Sequence, residues 1–235
     1  MDKLTQYKED SNYAIITLNN GKVNAISHQV IDELNTALDR AESNKKVVIL
    51  TGKSGVFSGG YDLKSMMTSP ESALELVTRG SQLALKMLRF PLPIIAACSG
   101  HAIAKGAFLL LSTDYRLGID GQFKVGLNEV MIGMTMHNAG IEIAKGRLSP
   151  VFLERSVNNA EIYTPKEAIL SGFLDKVVPS DDLLLPAATK IAEMFGQLNL
   201  KAHAETKLKV RDEYLKRIEE AIQKDLKEGL TPPSK

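Results

Sequence analysis

The sequence predicts an α/β fold with at least partly parallel strand pairing, and three observations carry that prediction. Short β-branched runs alternate with longer segments whose apolar residues recur every three or four positions. Twice, at 46–64 and again at 94–111, such a run is followed by a glycine-containing turn and then by a helix start. From about residue 140 onward the pattern becomes mainly helical.

Taken in order, Asn-Tyr-Ala-Ile-Ile-Thr-Leu at 12–18 reads as a strand ended by the Asn19-Asn20-Gly21 turn. Ser27 is placed to cap a helix whose apolar face is Val30, Ile31, Leu34, Ala37, Leu38 and Ala41. Lys-Val-Val-Ile-Leu-Thr at 46–51 is then a buried strand, which completes a β-α-β unit. After it Gly59 and Gly60 permit dihedrals that other residues resist, and Asp62, Leu63 and Lys64 begin a helix. Ser69-Pro70-Glu71 announces the next helix, which Pro91 and Pro93 end. The run 94–98 is a short buried strand, and 99–107 drops to small residues before an apolar helix at 108–111. Strands at 114–119 and 124–129 lead into a Met-rich turn at 131–136.

Further on, Ser149-Pro150 and the capping box Thr164-Pro165-Lys166-Glu167 start helices, and Gly172 supplies a stop. A final helix at about 202–228 aligns Leu215, Ile218, Ala221, Ile222 and Leu226 on one face, and that face needs a partner. Residues 231–235 are expected to fray. The division expected is a core at 1–185 and a C-terminal helical region at 186–235.

Composition removes several classes of function. With 29 basic and 28 acidic residues among 235, the net charge of +1 gives no global electrostatic case for nucleic acid. The single Cys98 cannot form an internal disulfide, and four His with one Cys show no metal-ligand spacing, so no metal is expected. No stretch approaches the length of a membrane span, the first residues have no apolar signal core, and the last are no peroxisomal address. A cytoplasmic setting is the expectation.

The chemistry is expected at the two glycine-containing turns. Each can aim a backbone N–H at a ligand oxygen, and two that converge form an oxyanion hole, the arrangement an enolate requires. A plain strand-to-helix turn is the alternative reading. Gly52-Lys53-Ser54 is not a P-loop tail, because position 47 is Val where the motif needs glycine. The glycines at 52, 55, 59 and 60 miss the dinucleotide spacing, and no G-x-S-x-G elbow is present.

Phe57-Ser58-Gly59-Gly60-Tyr61-Asp62-Leu63, and Ser99-Gly100-His101-Ala102 with Gly106 and Asp114 beyond it, resemble the two signature segments of the crotonase superfamily, whose members handle acyl-CoA thioesters. The resemblance extends to Lys22-Val23-Asn24-Ala25, Gly126-Leu127-Asn128-Glu129 and 168–178, and it spans about residues 5–185. It implies a crotonase-like fold of repeated β-β-α units, with a helical C-terminal trimerisation region that gives homotrimers or hexamers. It also implies that the substrate is an acyl-CoA and that no cofactor is needed beyond the coenzyme A of the thioester.

Carried over by position, the resemblance puts the oxyanion donors on the backbone N–H groups of Tyr61 and Lys105, and the acid-base role on Glu129. Lys105 stands where the family usually has glycine, so its side chain either helps an anionic group or points to solvent. Phe108 occupies the position of the first of two hydratase glutamates, and this favours a single-glutamate Δ3,Δ2-enoyl-CoA isomerase over a hydratase, a decarboxylase or hydrolase, or an idle acyl-CoA binder. The resemblance further assigns substrate contact to Lys22, Val23 and Ala25, to Ser58, Gly59, Gly60, Asp62 and Leu63, and to Gly106, Phe108 and His137. His101 is a weaker candidate, and the Met residues at 131, 134 and 136 are either acyl-chain lining or core.

Overall fold

The structure, a computed structural model, describes residues 3–230, so the expected frayed tail at 231–235 lies outside the described residues. Strand β1 (Thr5–Glu9) pairs antiparallel with β2 (Tyr13–Leu18), and helix α1 (His28–Ser43) crosses to β3 (Val47–Thr51), parallel to β2. Strand β4 (Gly55–Ser58) leaves for a second sheet, and α2 (Leu63–Met66) and α3 (Pro70–Arg89) follow. The sequence repeats with β5 (Ile94–Cys98) in the first sheet, β6 (Gly100–Ile103) in the second and α4 (Lys105–Leu111) after them. A third pass gives β7 (Tyr115–Ile119) and β8 (Val125–Gly126), a short 3₁₀ turn at Val130–Ile132, and α5 (Asn138–Lys145). The chain continues through α6 (Pro150–Val157), β9 (Ile162–Tyr163), α7 (Pro165–Ser171), β10 (Lys176–Val178), α8 (Asp181–Gly196) and α9 (Leu200–Glu228). The sheets have strand orders β1-β2-β3-β5-β7-β10 and β4-β6-β8-β9.

Local chemistry accounts for the helix starts. Ser27 accepts from Val30 N at 3.3 Å, Ser69 from Ser72 N at 3.1 Å, and Thr164 with Glu167 forms the reciprocal capping box. Burial explains the β-branched runs. Every residue of β3 is buried, with Val48 and Leu50 packing into the main core and Val47 and Ile49 into a second one that includes Leu184, Ala188 and Ala192 of α8.

Several expectations are corrected. The second strand of the first two β-β-α units was expected as turn, because β4 and β6 have only four residues each and so show no alternation, while the strand expected at 124–129 is present but shortened to β8. Gly100 also belongs to strand rather than turn, where a Cβ would stand 2.1 Å from the Gly55 carbonyl group, so the two backbones touch. The turn glycines Gly59 and Gly60 accordingly follow β4, not β3, and α4 begins at Lys105 rather than at 108.

The last helix finds its partner close at hand. Its apolar face has its partner within the chain, since α9 packs against α3 and α5, and Leu215, Ile218, Ala221 and Ile222 are all buried there. Tyr214 Oη donates to Ile143 O at 3.1 Å on the same seam. Leu226 falls off that face and is 44% exposed. The face therefore makes no demand for a second subunit.

Candidate active site

The first turn is built on the segment 22–25. Asn24, buried at a φ of +50°, donates from Nδ2 to Val56 O at 3.1 Å and to Phe57 O at 3.2 Å, and its Oδ1 accepts from Asn20 N. Ser58 Oγ donates to Asn24 O at 2.8 Å, and Gly59 N donates to Val23 O at 2.8 Å. Lys22 and Val23 thus form an exposed rim, stitched by its backbone to the end of β4, with Ala25 half-buried behind them.

Gly60, at φ +109°, then turns the chain. Tyr61 stands opposite Ile26 in a parallel bridge, in which Ile26 N donates to Gly60 O and Asp62 N donates to Ile26 O. In such a bridge the middle residue directs its own N–H to the far side, so Tyr61 N is turned away from Ile26. Asp62 caps α2, accepting from Ser65 N at 2.8 Å, while Leu63 is 60% exposed. Helix α2 is a single turn, so the help expected from a helix dipole is small.

The second turn follows β6. Ala104 N donates to Gly126 O at 3.0 Å, and Ala104 adopts φ +52° and ψ −120°, a strained conformation for a residue with a Cβ that costs about 1–3 kcal/mol. Lys105 is the first residue of α4, where an N–H has no partner one turn back. A Cβ on Gly60 would lie 3.1 Å from Ala104 Cβ and 3.7 Å from Lys105 N, so the two turns are in contact. Gly106 permits this approach, because a Cβ there would sit 2.2 Å from Ser58 O. Gly106→Ala should therefore spread the turns, lowering stability by about 1–3 kcal/mol and turnover at least about tenfold. Thermal unfolding and steady-state kinetics check both.

Glu129 precedes the 3₁₀ turn and is 7% exposed, and its Oε2 is a buried oxygen with no hydrogen-bond partner among the described residues. Burial pushes its carboxyl up to about 7, against the pull of its own and the Asn128 backbone N–H groups. Its charge and burial together push the Tyr61 phenol well above the usual tyrosine range, burial being the larger cause. The Glu129 charge is thus felt at the Tyr61 phenol. Phe108, 1% exposed, lies edge-on to His137 at 5.5 Å between ring centroids. Burial, with the nearby Lys105 cation adding to it, holds the His137 imidazole well below its usual value although Asp225 opposes them. Asp225 of α9 accepts from Asn138 N at 2.7 Å and Ala139 N at 3.0 Å, fixing the start of α5 beside that imidazole. His101 lies apart, accepting from Lys124 N on Nδ1.

Lys105 is not a surface lysine. It is 1% exposed, its Nζ donates to Gly80 O of α3 at 2.6 Å, and burial lowers its ammonium to about 7. Gly80 itself went unnoticed in the sequence. Its one signal was a lone glycine inside a strong helical pattern, which commonly has a packing reason. Among the described residues no group of three or more His, Cys, Asp or Glu side chains stands together to hold a metal ion.

The fold thus combines repeated β-β-α passes with two touching turns and a buried carboxyl on Glu129. The chain belongs to the enoyl-CoA hydratase/isomerase family of the crotonase superfamily, whose sequence profile it matches over residues 8–229. It is similar to a solved enoyl-CoA hydratase/isomerase family protein of Pseudomonas syringae, at 55% identity and a TM-score of 0.93, covering 94% of this chain and 96% of that one. It is 28% identical to the mitochondrial enoyl-CoA delta isomerase 1 of Rattus norvegicus, over 82% of this chain and 68% of that protein. It is also 28% identical to a probable enoyl-CoA hydratase of Bacillus subtilis, over 80% of this chain and 74% of that protein.

Proposed function

We propose that this enzyme isomerises 3-enoyl-CoA to 2-enoyl-CoA with Glu129 as the proton shuttle. The observation that carries the reading is the pairing of one buried, unpartnered carboxylate oxygen on Glu129 with an apolar ring on Phe108 at the position of a second acid. The Glu129 carboxylate removes a C2 proton, the electron pair moves into a dienolate, and the oxygen takes up charge against Tyr61 N and Lys105 N. The proton then returns from the carboxyl to C4, and the double bond rests between C2 and C3. Coenzyme A enters and leaves as part of the thioester.

Residues 22–25 and 58–63 are proposed to meet the thioester, with 1–185 as the binding core and 186–235 as the helical region, in a cytoplasmic homotrimer or hexamer. No described helix is long and apolar enough to cross a membrane. A panel of 3-enoyl, 2-enoyl and malonyl-type CoA thioesters tests the reaction, since the product formed identifies it. A base whose pKa stands near 7 is protonated and idle below that value, so kcat/KM should rise with pH along a limb centred near 7. A flat profile from pH 5.5 to 8 would assign proton transfer to an ordinary carboxylate elsewhere.

A further inference from the structure

The two proposed donor residues send their side chains to one turn of α3. The Tyr61 ring occupies the space beside Gly80, where a Cβ would stand 2.0 Å from its Oη, and that Oη reaches Val77 O at 3.4 Å. From the second turn Lys105 Nζ reaches Gly80 O at 2.6 Å and lies 5.8 Å from the Tyr61 ring centroid, at the outer range of a cation–π contact. The groups facing this ammonium are Tyr61, with Glu129 near it, and His137 at the start of α5.

We propose that residues 77–80 of α3 form a bracket that sets the separation of the two oxyanion donors, with Lys105 as the positioning residue that ties the second donor to it. The proposal rests on the oxyanion-hole reading above. Three locally unfavourable features meet here: a buried ammonium, a glycine inside a long helix, and Ala104 at positive φ. Each weakens the fold by itself, and a methionine would fill the volume of Lys105 without desolvating a charge. Gly80 O remains inside α3, so the bond from Nζ is an addition to the helix rather than a requirement of it. What that bond does fix is the residue following a strained Ala104, whose N–H must stay within hydrogen-bond reach of a small oxygen. Misplacement by about 1 Å is enough to cost on the order of 10²-fold in rate.

The test is Lys105→Met, compared with wild type for turnover, thermal unfolding and the infrared C=O stretch of bound 2-enoyl-CoA, which shifts to lower frequency when donors polarise it. The expected result is a kcat lower by about 10- to 100-fold, a KM within about threefold, a smaller carbonyl shift, and a melting temperature equal to or above wild type. Activity lost together with stability would assign Lys105 to packing, and a wild-type kcat with a full carbonyl shift would equally overturn the proposal. If the wild-type protein itself produces no carbonyl shift, the oxyanion-hole reading has failed, and this result is distinct from the others. Should Lys105→Met not fold, Gly80→Ala serves, because its Cβ displaces Tyr61 from the bracket while Lys105 stays. That variant should lose kcat on the same scale, and a kcat within twofold of wild type overturns the bracket.

Discussion

Glu129→Gln should lower isomerase turnover at least about 10²-fold while thioester affinity changes little. The amide keeps the shape of the carboxyl and removes its basicity, so the loss reports proton transfer rather than binding. The same substitution has a second, opposite effect. Burial raises the Glu129 carboxyl from its usual value to about 7, so the folded protein prefers the neutral form and ionisation works against folding. Below about pH 4.5 the group is neutral in both states and exacts nothing. As pH rises toward 7 the folded state alone stays protonated and stability falls, reaching a deficit on the order of 3 kcal/mol above that range. Glu129→Gln should therefore be more stable than wild type at pH 8 and nearly equal to it at pH 4, measured by denaturant unfolding at both values. Near-normal turnover in the variant would sink the assignment and turn attention to His137, although an imidazole held below its usual range is a poor base.

The second large effect concerns Phe108. Wild-type protein should isomerise a 3-enoyl-CoA at least about tenfold faster than it hydrates the matched 2-enoyl-CoA, since hydration needs an activated water and a second proton-transfer group. Phe108 of α4 offers an apolar ring set against the His137 ring, and Gly140 of α5 leaves it room, since a Cβ there would come 2.9 Å from the ring. Phe108→Glu would restore paired carboxylates and should move the ratio toward hydration. It would also remove a fully buried ring, at about 3–5 kcal/mol, and bury an unpaired acid whose pKa would rise. The wild-type ratio is for this reason the cleaner measurement, and hydration equal to or faster than isomerisation would replace the isomerase reading with that of a hydratase.

The legible parts of the fold were those where burial imposes a period or an unbroken apolar run. Helices α1, α3 and α9 and strand β2 repeat their apolar residues often enough for one face to emerge, β3, β5 and β7 stand out as short buried runs, and Ser27 and Ser69 mark the starts of α1 and α3. Strands β4 and β6 did not show themselves, because their place is set by pairing across the second sheet and not by their own few side chains. The site was legible as segments but not as side-chain directions. The glycines at 59, 60 and 106 signalled close backbone approach, whereas the sequence gives no sign that the Lys105 side chain runs inward to α3. Its burial depends on Gly80, 25 positions away, and a local pattern does not contain that pairing. The partners of the α9 face were hidden for the same reason, α3 and α5 being distant in the chain.

Asp225 holds the first residues of α5 across 87 positions of sequence from Asn138, and this has a consequence for the order in which the protein comes into being. A contact of that span closes late, because the intervening chain must be synthesised and gathered before it can form. The two turns proposed to meet the thioester oxygen depend on strands and helices completed by about residue 126, and they can be assembled while the ribosome is still at work. The His137 wall cannot, since the carboxylate that secures it arrives on the helix translated after every other group around the site. A nascent chain therefore holds the two proposed donor turns well before it holds a finished pocket, which waits on the docking of α9.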